Sequence, residues 1–233
     1  MRWWVGLGVA AVMALALVWS AMRARTWQAF GEIVARVETK DRRLAVTFDD
    51  GPDGDHVTEI LAVLDEAGVR ATFFVIGADA ERHPDATRAL VAAGHEVANH
   101  SWSHDRMVFV SPSWIRGELD DTDRVIEAAG APRPRWFRPP YGKKGLALPW
   151  VLARTGRTTV MWDVEPESDP AVAADPDALV RAVRARAQPG SIILLHPWYA
   201  SREATREALP WLLRGLHEDG WSLVTVSELL GGA

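Results

Sequence analysis

Leu44-Ala45-Val46-Thr47-Phe48-Asp49-Asp50-Gly51-Pro52 is the stretch on which the rest of the chain turns. An apolar, β-prone run ends in two adjacent carboxylates and then in Gly-Pro, which cannot continue a strand. It predicts a buried strand that carries Asp49 and Asp50 to its C-terminal lip. Consecutive side chains on a strand point to opposite faces, so the two acids share one lip only if the strand is ending there. Side by side they repel, unless a cation or a proton lies between them. The pair points to a metal site with a base beside it, and the remaining ligands have to be sought elsewhere in the chain.

Downstream, the chain repeats one grammar without repeating its sequence: a helical stretch closes on a glycine and a β-prone run follows. Gly68, Gly94, Gly130, Gly156, Gly190 and Gly220 stand where helix C-termini are capped. With Leu44–Phe48, the predicted strands are Ala71–Ile76, Glu96–Ala98, Arg135–Phe137, Thr158–Trp162, Ile192–Leu195 and Leu223–Val226, seven in all. The predicted helices lie near His56–Ala67, Pro84–Ala93, Pro112–Ala129, Leu146–Thr155, Pro176–Ala187 and Arg202–Asp219. Strict alternation of β and α implies an α/β fold with a parallel sheet and right-handed crossovers. No phosphate-type glycine loop follows the first strand, which argues against a nucleotide-binding sheet and for a barrel.

The polar residues cluster at one end of this frame. Asp49 and Asp50 follow the first predicted strand, Asn99 and His100-Ser101-Trp102-Ser103-His104 the third, and Arg138-Pro139-Pro140-Tyr141-Gly142 the fourth. Asp163 and Glu165 stand near the end of the fifth and His196 after the sixth. All lie at C-terminal strand ends, the rim on which barrel enzymes build their sites. Taken singly, each has a plainer reading: adjacent aspartates cap turns, and histidines four apart share a helical face by chance. His56, His83, His95 and His217 read as structural or solvent-facing. The common rim is what sets the other group apart.

The totals set bounds. A chain of 233 residues holds one domain with a full core and an appendage. A net charge of −5 leaves no electrostatic footprint for nucleic acid. With no cysteine, any metal must rest on histidine and carboxylate. The twelve tryptophans fit aromatic sugar platforms as well as core.

Trp3 to Met22 carries no charge for twenty residues, enough at 1.5 Å per residue to span a hydrocarbon core of about 30 Å. Trp3, Trp4 and Trp19 suit the two interfaces. A cleaved signal peptide competes, but its apolar region is usually shorter, and no small-x-small cleavage site precedes Arg23. The expected organisation is a transmembrane anchor over 1–25, a polar tether over 26–41 and a domain over 42–233. The expected location is membrane-anchored, with the domain on the periplasmic or extracellular face. The orientation stays open: Arg23, Arg25, Arg36 and Lys40 would by charge keep the domain in the cytoplasm, but large domains translocate largely regardless of charge.

Thr-Phe-Asp-Asp-Gly-Pro (47–52), His-Ser-x-x-His (100–104), Arg-Pro-Pro-Tyr (138–141) and Leu-Leu-His (194–196), in that order, resemble the NodB-type polysaccharide deacetylases, carbohydrate esterase family 4. The resemblance covers about residues 42 to 230. It implies a distorted (β/α)7 TIM-like barrel and one divalent metal, usually zinc, on Asp50, His100 and His104. It further implies Asp49 as general base, Arg138 as its charge partner, His196 as general acid and the Tyr141 N–H as oxyanion donor. The stretch Trp162-Asp163-Val164-Glu165-Pro166-Glu167-Ser168-Asp169 departs from the family's acid pattern, and the group that orients His196 is left between Asp163 and Glu165. His196 is followed by Pro197-Trp198-Tyr199 in place of the frequent Asp; Trp198 and Tyr199 either wall the sugar cleft or pack as core.

The reading that follows is a metal-dependent hydrolase removing N-acetyl groups from an N-acetylated glycan of the peptidoglycan or chitin type. Two alternatives stand beside it: a deacylase or deformylase of a lipid-linked amino sugar, motivated by the anchor, and a glycan-binding scaffold without catalysis.

Overall fold

The computed structural model of the protein describes residues 12–13 and 16–231. The strands are β1 (Ile33–Val34), β2 (Arg43–Asp49), β3 (Thr72–Val75), β4 (Glu96–Asn99), β5 (Trp136–Phe137), β6 (Thr158–Val160), β7 (Ile192–Leu195) and β8 (Ser222–Val224). The helices are α1 (Val57–Glu66), α2 (Gly77–Arg82), α3 (Pro84–Ala92), α4 (Pro112–Ala128), α5 (Ala147–Arg154), α6 (Pro170–Ala173), α7 (Pro176–Arg186), α8 (Glu203–Glu218) and α9 (Val226–Leu229). All strand pairs are parallel, as the alternation of elements requires.

The sheet runs β1-β6-β5-β4-β3-β2-β7, with β8 beside the first residues of β2. It is a curled half-barrel rather than the expected seven-unit barrel. Among the described residues the seam carries only isolated bridges, Arg36 to Ser191 and Val164 to Ile193, with scattered bonds such as that from the Val37 N–H to the Gly190 carbonyl at 2.9 Å. The reason is length: β1 is two residues long and cannot supply a ladder. The close approach there demands glycine, since a Cβ on Gly190 would stand 1.8 Å from the Val37 carbonyl oxygen.

β2 is buried along almost its whole length, and its two faces serve two cores. Leu44, Val46 and Phe48 join Phe73, Val75, Ile193 and Leu195 beneath α1, α7 and α8. Phe48 stacks on Phe73 with ring centroids 5.0 Å apart, and burying such a ring contributes about 1.5–3 kcal/mol. Ala45 joins Phe74, Ala98, Trp136, Ile192 and Leu194 inside the curl. Thr47 and Asp49 share that inward face because they follow Ala45 at steps of two.

A buried polar network backs the exit of β4. Asn99 Nδ2 donates to Asp123 Oδ1 of α4 at 2.7 Å and to the Leu119 carbonyl at 2.9 Å, while its Oδ1 accepts from the Ser101 N–H at 2.9 Å. Asp123 is paired in turn with the buried Arg157 at 2.5 Å.

The sheet starts earlier than expected. The stretch 26–41, expected as a tether, contains β1, which pairs with Thr159 and Val160 of β6. The membrane-anchored location is also corrected: among the described residues no helix is long and apolar enough to cross a membrane. Much of the expected span Trp3–Met22, residues 3–11, 14 and 15, lies outside the described residues. The helical residues 16–23 touch the domain along one side, and Leu17, Val18 and Trp19 stay at least half exposed. Leu17, Val18, Ala21 and Met22 face Met107, Val110 and Leu146 across an apolar cavity of about 510 Å³, and the Lys144 N–H donates to the Met22 carbonyl at 3.0 Å.

Asp123→Ala removes the counter-charge of a buried arginine, and it is expected to cost about 3–5 kcal/mol of stability. Urea unfolding of the variant beside the parent measures it; a loss below about 1 kcal/mol would mean that Arg157 finds water or another partner.

Candidate active site

Arg138 leaves β5 into the curl and is fully buried. Its Nη1 donates to Thr47 Oγ1 at 2.9 Å and to Asp49 Oδ1 at 2.5 Å, the two inward residues of β2. Its Nε and Nη2 donate to the Val160 and Met161 carbonyls at 3.2 and 3.1 Å, and the guanidinium lies over the Phe74 ring at 4.0 Å. A buried charge is tolerable on these terms, with a counter-charge and satisfied donors. Asp49 is thereby held in one orientation, with its Oδ2 3.7 Å from His100 Nε2.

Asp50 reaches the same lip because the chain turns there, at φ +74°. Its Oδ1 lies 3.1 Å from His100 Nε2 and 3.0 Å from His104 Nε2. His100 Nδ1 lies 2.7 Å from the Arg138 carbonyl, which only accepts, so the proton sits on Nδ1 and the Nε2 lone pair faces Asp50. Asp50 Oδ1 is buried and has no hydrogen-bond partner. An orphaned carboxylate oxygen facing an imidazole lone pair is repulsive as it stands, and one ion between them resolves it. One ligand atom from each of Asp50, His100 and His104 lies within 4.8 Å of the others, so the residues present fit a divalent cation.

The spacing of the two histidines is a loop property, not a helical one. Buried Glu118 of α4 accepts from the N–H groups of Trp102 and Ser103 at 3.0 and 2.8 Å and from Ser103 Oγ at 3.0 Å. Ser101 Oγ accepts from the His104 N–H at 3.1 Å. Ser101 and His104 take φ of +69° and +58°. Tyr141 is likewise left-handed at φ +57°, and its half-exposed ring lies 4.7 Å from that of His104.

His196 follows β7, with Nε2 3.8 Å from Asp50 Oδ2. Neither acid expected to orient it does so. The carboxylate on His196 is Glu167, whose Oε2 lies 2.7 Å from Nδ1 and accepts from the His196 N–H at 3.1 Å, while Oε1 accepts from Thr205 Oγ1 at 2.5 Å. Asp163 is taken up at the start of β7, by Ser191 Oγ and the Ile192 N–H, both at 2.8 Å. Glu165 accepts from Trp162 Nε1 at 2.8 Å and pairs with Arg25 at 2.6 Å. The single turn of 3₁₀-helix at Pro166–Ser168 folds the chain back and delivers the third acid of the stretch. Burial disfavours the imidazolium, but the Glu167 hydrogen bond and the charges of Asp49, Asp50 and Glu167 outweigh it and raise the pKa of His196. Glu167, whose ionisation burial opposes, is lowered by His196 and Thr205.

Trp198 is core and not cleft wall: it is 5 % exposed, its ring centroid lies 6.1 Å from that of Phe73, and a Cβ on Gly51 would come within 2.1 Å of it. Tyr199 is the one that reaches the site, donating from Oη to Asp50 Oδ2 at 2.9 Å. The expected residues Asp49, Asp50, His100, His104, Arg138, Tyr141 and His196 are brought together; Asp163 and Glu165 serve the strand start and the rim. Glu167, Glu118 and the Tyr199 phenol were not foreseen in these roles; Glu167 had a signal in an extra acid in the stretch after β6, and Tyr199 was expected only as cleft wall or core.

Comparison with known proteins gives three kinds of match. The family model described as polysaccharide deacetylase matches residues 36–160. A chitooligosaccharide deacetylase of Bradyrhizobium sp. is 34% identical over 203 residues, covering 81% of this chain and 90% of the relative. A peptidoglycan-N-acetylglucosamine deacetylase of Bacillus cereus is 33% identical over 202 residues, covering 86% and 93%. The solved structure of the Bc1960 peptidoglycan N-acetylglucosamine deacetylase superposes with a TM-score of 0.80 at 26% identity, covering 85% of this chain and 92% of that one. With more than half of its length inside the family model and relatives above 30% identity along most of their length, the chain belongs to the NodB-type polysaccharide deacetylase family, hydrolases of carbon–nitrogen bonds other than peptide bonds.

Proposed function

We propose that the chain is a metal-dependent N-deacetylase of an N-acetylated glycan of the peptidoglycan or chitin-oligosaccharide type, the substrates named for its relatives. The observation that carries the reading is the convergence of Asp50, His100 and His104 on one orphaned oxygen, with Asp49 and His196 at either side. One carboxylate and two imidazoles suit zinc with a position left open. When bound on these three residues, the cation supplies Lewis-acid polarisation of the acetamide carbonyl and lowers the pKa of a water toward about 7.

The chain's own groups do the rest. Asp49, oriented by Arg138, takes the proton of the attacking water as its oxygen bonds to the acetyl carbon. The Tyr141 N–H stabilises the negative charge that develops on the carbonyl oxygen. His196 gives its proton to the sugar nitrogen as the C–N bond breaks, and Glu167 keeps Nδ1 protonated and Nε2 aimed inward. The products are acetate and a free amino sugar. The lipid-linked reading was motivated by a membrane-spanning helix, and none of the described helices is long and apolar enough to be one; the scaffold reading does not account for the intact set of reacting groups.

Acetate release from chitin oligomers and peptidoglycan by the zinc-loaded full chain tests the reaction. Asp49→Asn is expected to keep zinc and lose about 10²–10⁴-fold in kcat, whereas His100→Ala loses zinc and activity together. A chain holding one equivalent of zinc that releases no acetate from any N-acetylated glycan would refute the proposal.

The sign of the pH dependence follows from His196. Its raised pKa keeps the acid protonated to higher pH, and rate is lost as pH rises through that pKa. Glu167→Gln removes the hydrogen-bonded charge that raises it, so the alkaline limb of the kcat profile moves to lower pH. An unmoved limb would assign it to another group.

A further inference from the structure

The chain has two tyrosines, and both stand at the site. Tyr141 belongs to the Arg-Pro-Pro-Tyr stretch. Tyr199 does not belong to any stretch that carries the family resemblance, and its phenol nevertheless reaches the carboxylate at the centre of the site.

The two oxygens of Asp50 have different surroundings. Oδ1 is buried, faces both imidazoles at 3.1 and 3.0 Å and has no hydrogen-bond partner. Oδ2 accepts from Tyr199 Oη at 2.9 Å, with His196 Nε2 at 3.8 Å on the same side. A carboxylate free of other partners can close on a cation with both oxygens; one whose second oxygen is engaged by a fixed donor offers only the first. The Tyr199 backbone is fixed in turn by Arg206, whose Nη1 donates to the Tyr199 carbonyl at 2.9 Å and to the Pro197 carbonyl at 2.6 Å. The segment after His196 is thereby tied to α8, and the phenol approaches Asp50 from a held position.

We infer that Tyr199 is a positioning residue that fixes Asp50 as a one-oxygen ligand, and so sets both the tightness of the cation and the openness of its coordination. The inference rests on the metal reading proposed above. Partners of this kind around metal ligands are typically worth about 10–100-fold in affinity or activity. Keeping the second oxygen away also preserves the position that water and the substrate carbonyl need.

Tyr199→Phe removes one hydroxyl and keeps the ring. Zinc affinity of the full chain is read by competition with a chromophoric chelator, coordination by the visible absorption of the cobalt(II)-substituted protein, and folding by thermal unfolding of the metal-free chain. The expected result is zinc held about 10–100-fold more weakly, a cobalt band that loses intensity as the second oxygen joins, and unchanged metal-free unfolding. Zinc affinity within twofold of the parent and an identical cobalt spectrum would overturn the inference and leave the metal site standing. A parent chain that binds neither zinc nor cobalt would overturn the metal reading and this one with it. Tyr199→Ala separates the ring from the hydroxyl: a KM effect in Ala absent from Phe, with both variants holding zinc like the parent, would make Tyr199 a cleft wall and refute the positioning role.

Discussion

The architecture depends on a guanidinium with no access to water. Arg138 sits inside the curl and makes four outward bonds, to a hydroxyl and a carboxylate of β2 and to two carbonyls at the end of β6. Its own carbonyl sets the proton on His100. One residue thus ties the strand that carries the acids, the strand end that carries the first histidine and the strand opposite. Removing such a charge from water costs several kcal/mol, repaid only when its bonds are well placed. The bonds that repay it are the ones that orient Asp49 and His100, so stability and the order of the site come from the same contacts.

Much of this was legible beforehand, for a physical reason. A parallel sheet presents all its C-terminal strand ends on one rim, and the loops there are free of the packing that fixes helix-side loops. Polar residues that recur after strands and not after helices therefore declare a site. Asp49, Asp50, His100, His104, Arg138, Tyr141 and His196 were all placed in this way. Glu167 was not, because a three-residue turn decides which of Asp163, Glu165 and Glu167 faces inward, and periodicity carries no information about a single turn of 3₁₀-helix. Trp198 was left between wall and core because its burial depends on the missing side chain of Gly51, distant in sequence.

The errors of architecture share another cause. Hydropathy measures how strongly a segment avoids water, not what shelters it. In residues 16–23, Leu17, Val18, Ala21 and Met22 line a cavity with Met107, Val110 and Leu146, while Leu17, Val18 and Trp19 stay at least half exposed. The opposite error befell residues 26–41, whose polar composition hid a strand that needs only Ile33 and Val34 to pair with β6. Short edge elements are held by neighbours more than by their own propensity.

Four of the five non-glycine residues described with positive φ are Asp50, Ser101, His104 and Tyr141, all at the site. A backbone held in this region costs about 1–3 kcal/mol per residue when the side chain is not glycine. Glycine would release that strain at each position, yet it would delete the Asp50 carboxylate, the His104 imidazole, a loop-closing hydroxyl or the ring beside His104. These positions are therefore where thermostability and turnover part company. A screen that rewards heat resistance alone would drift toward glycine there and select well-folded chains with empty hands.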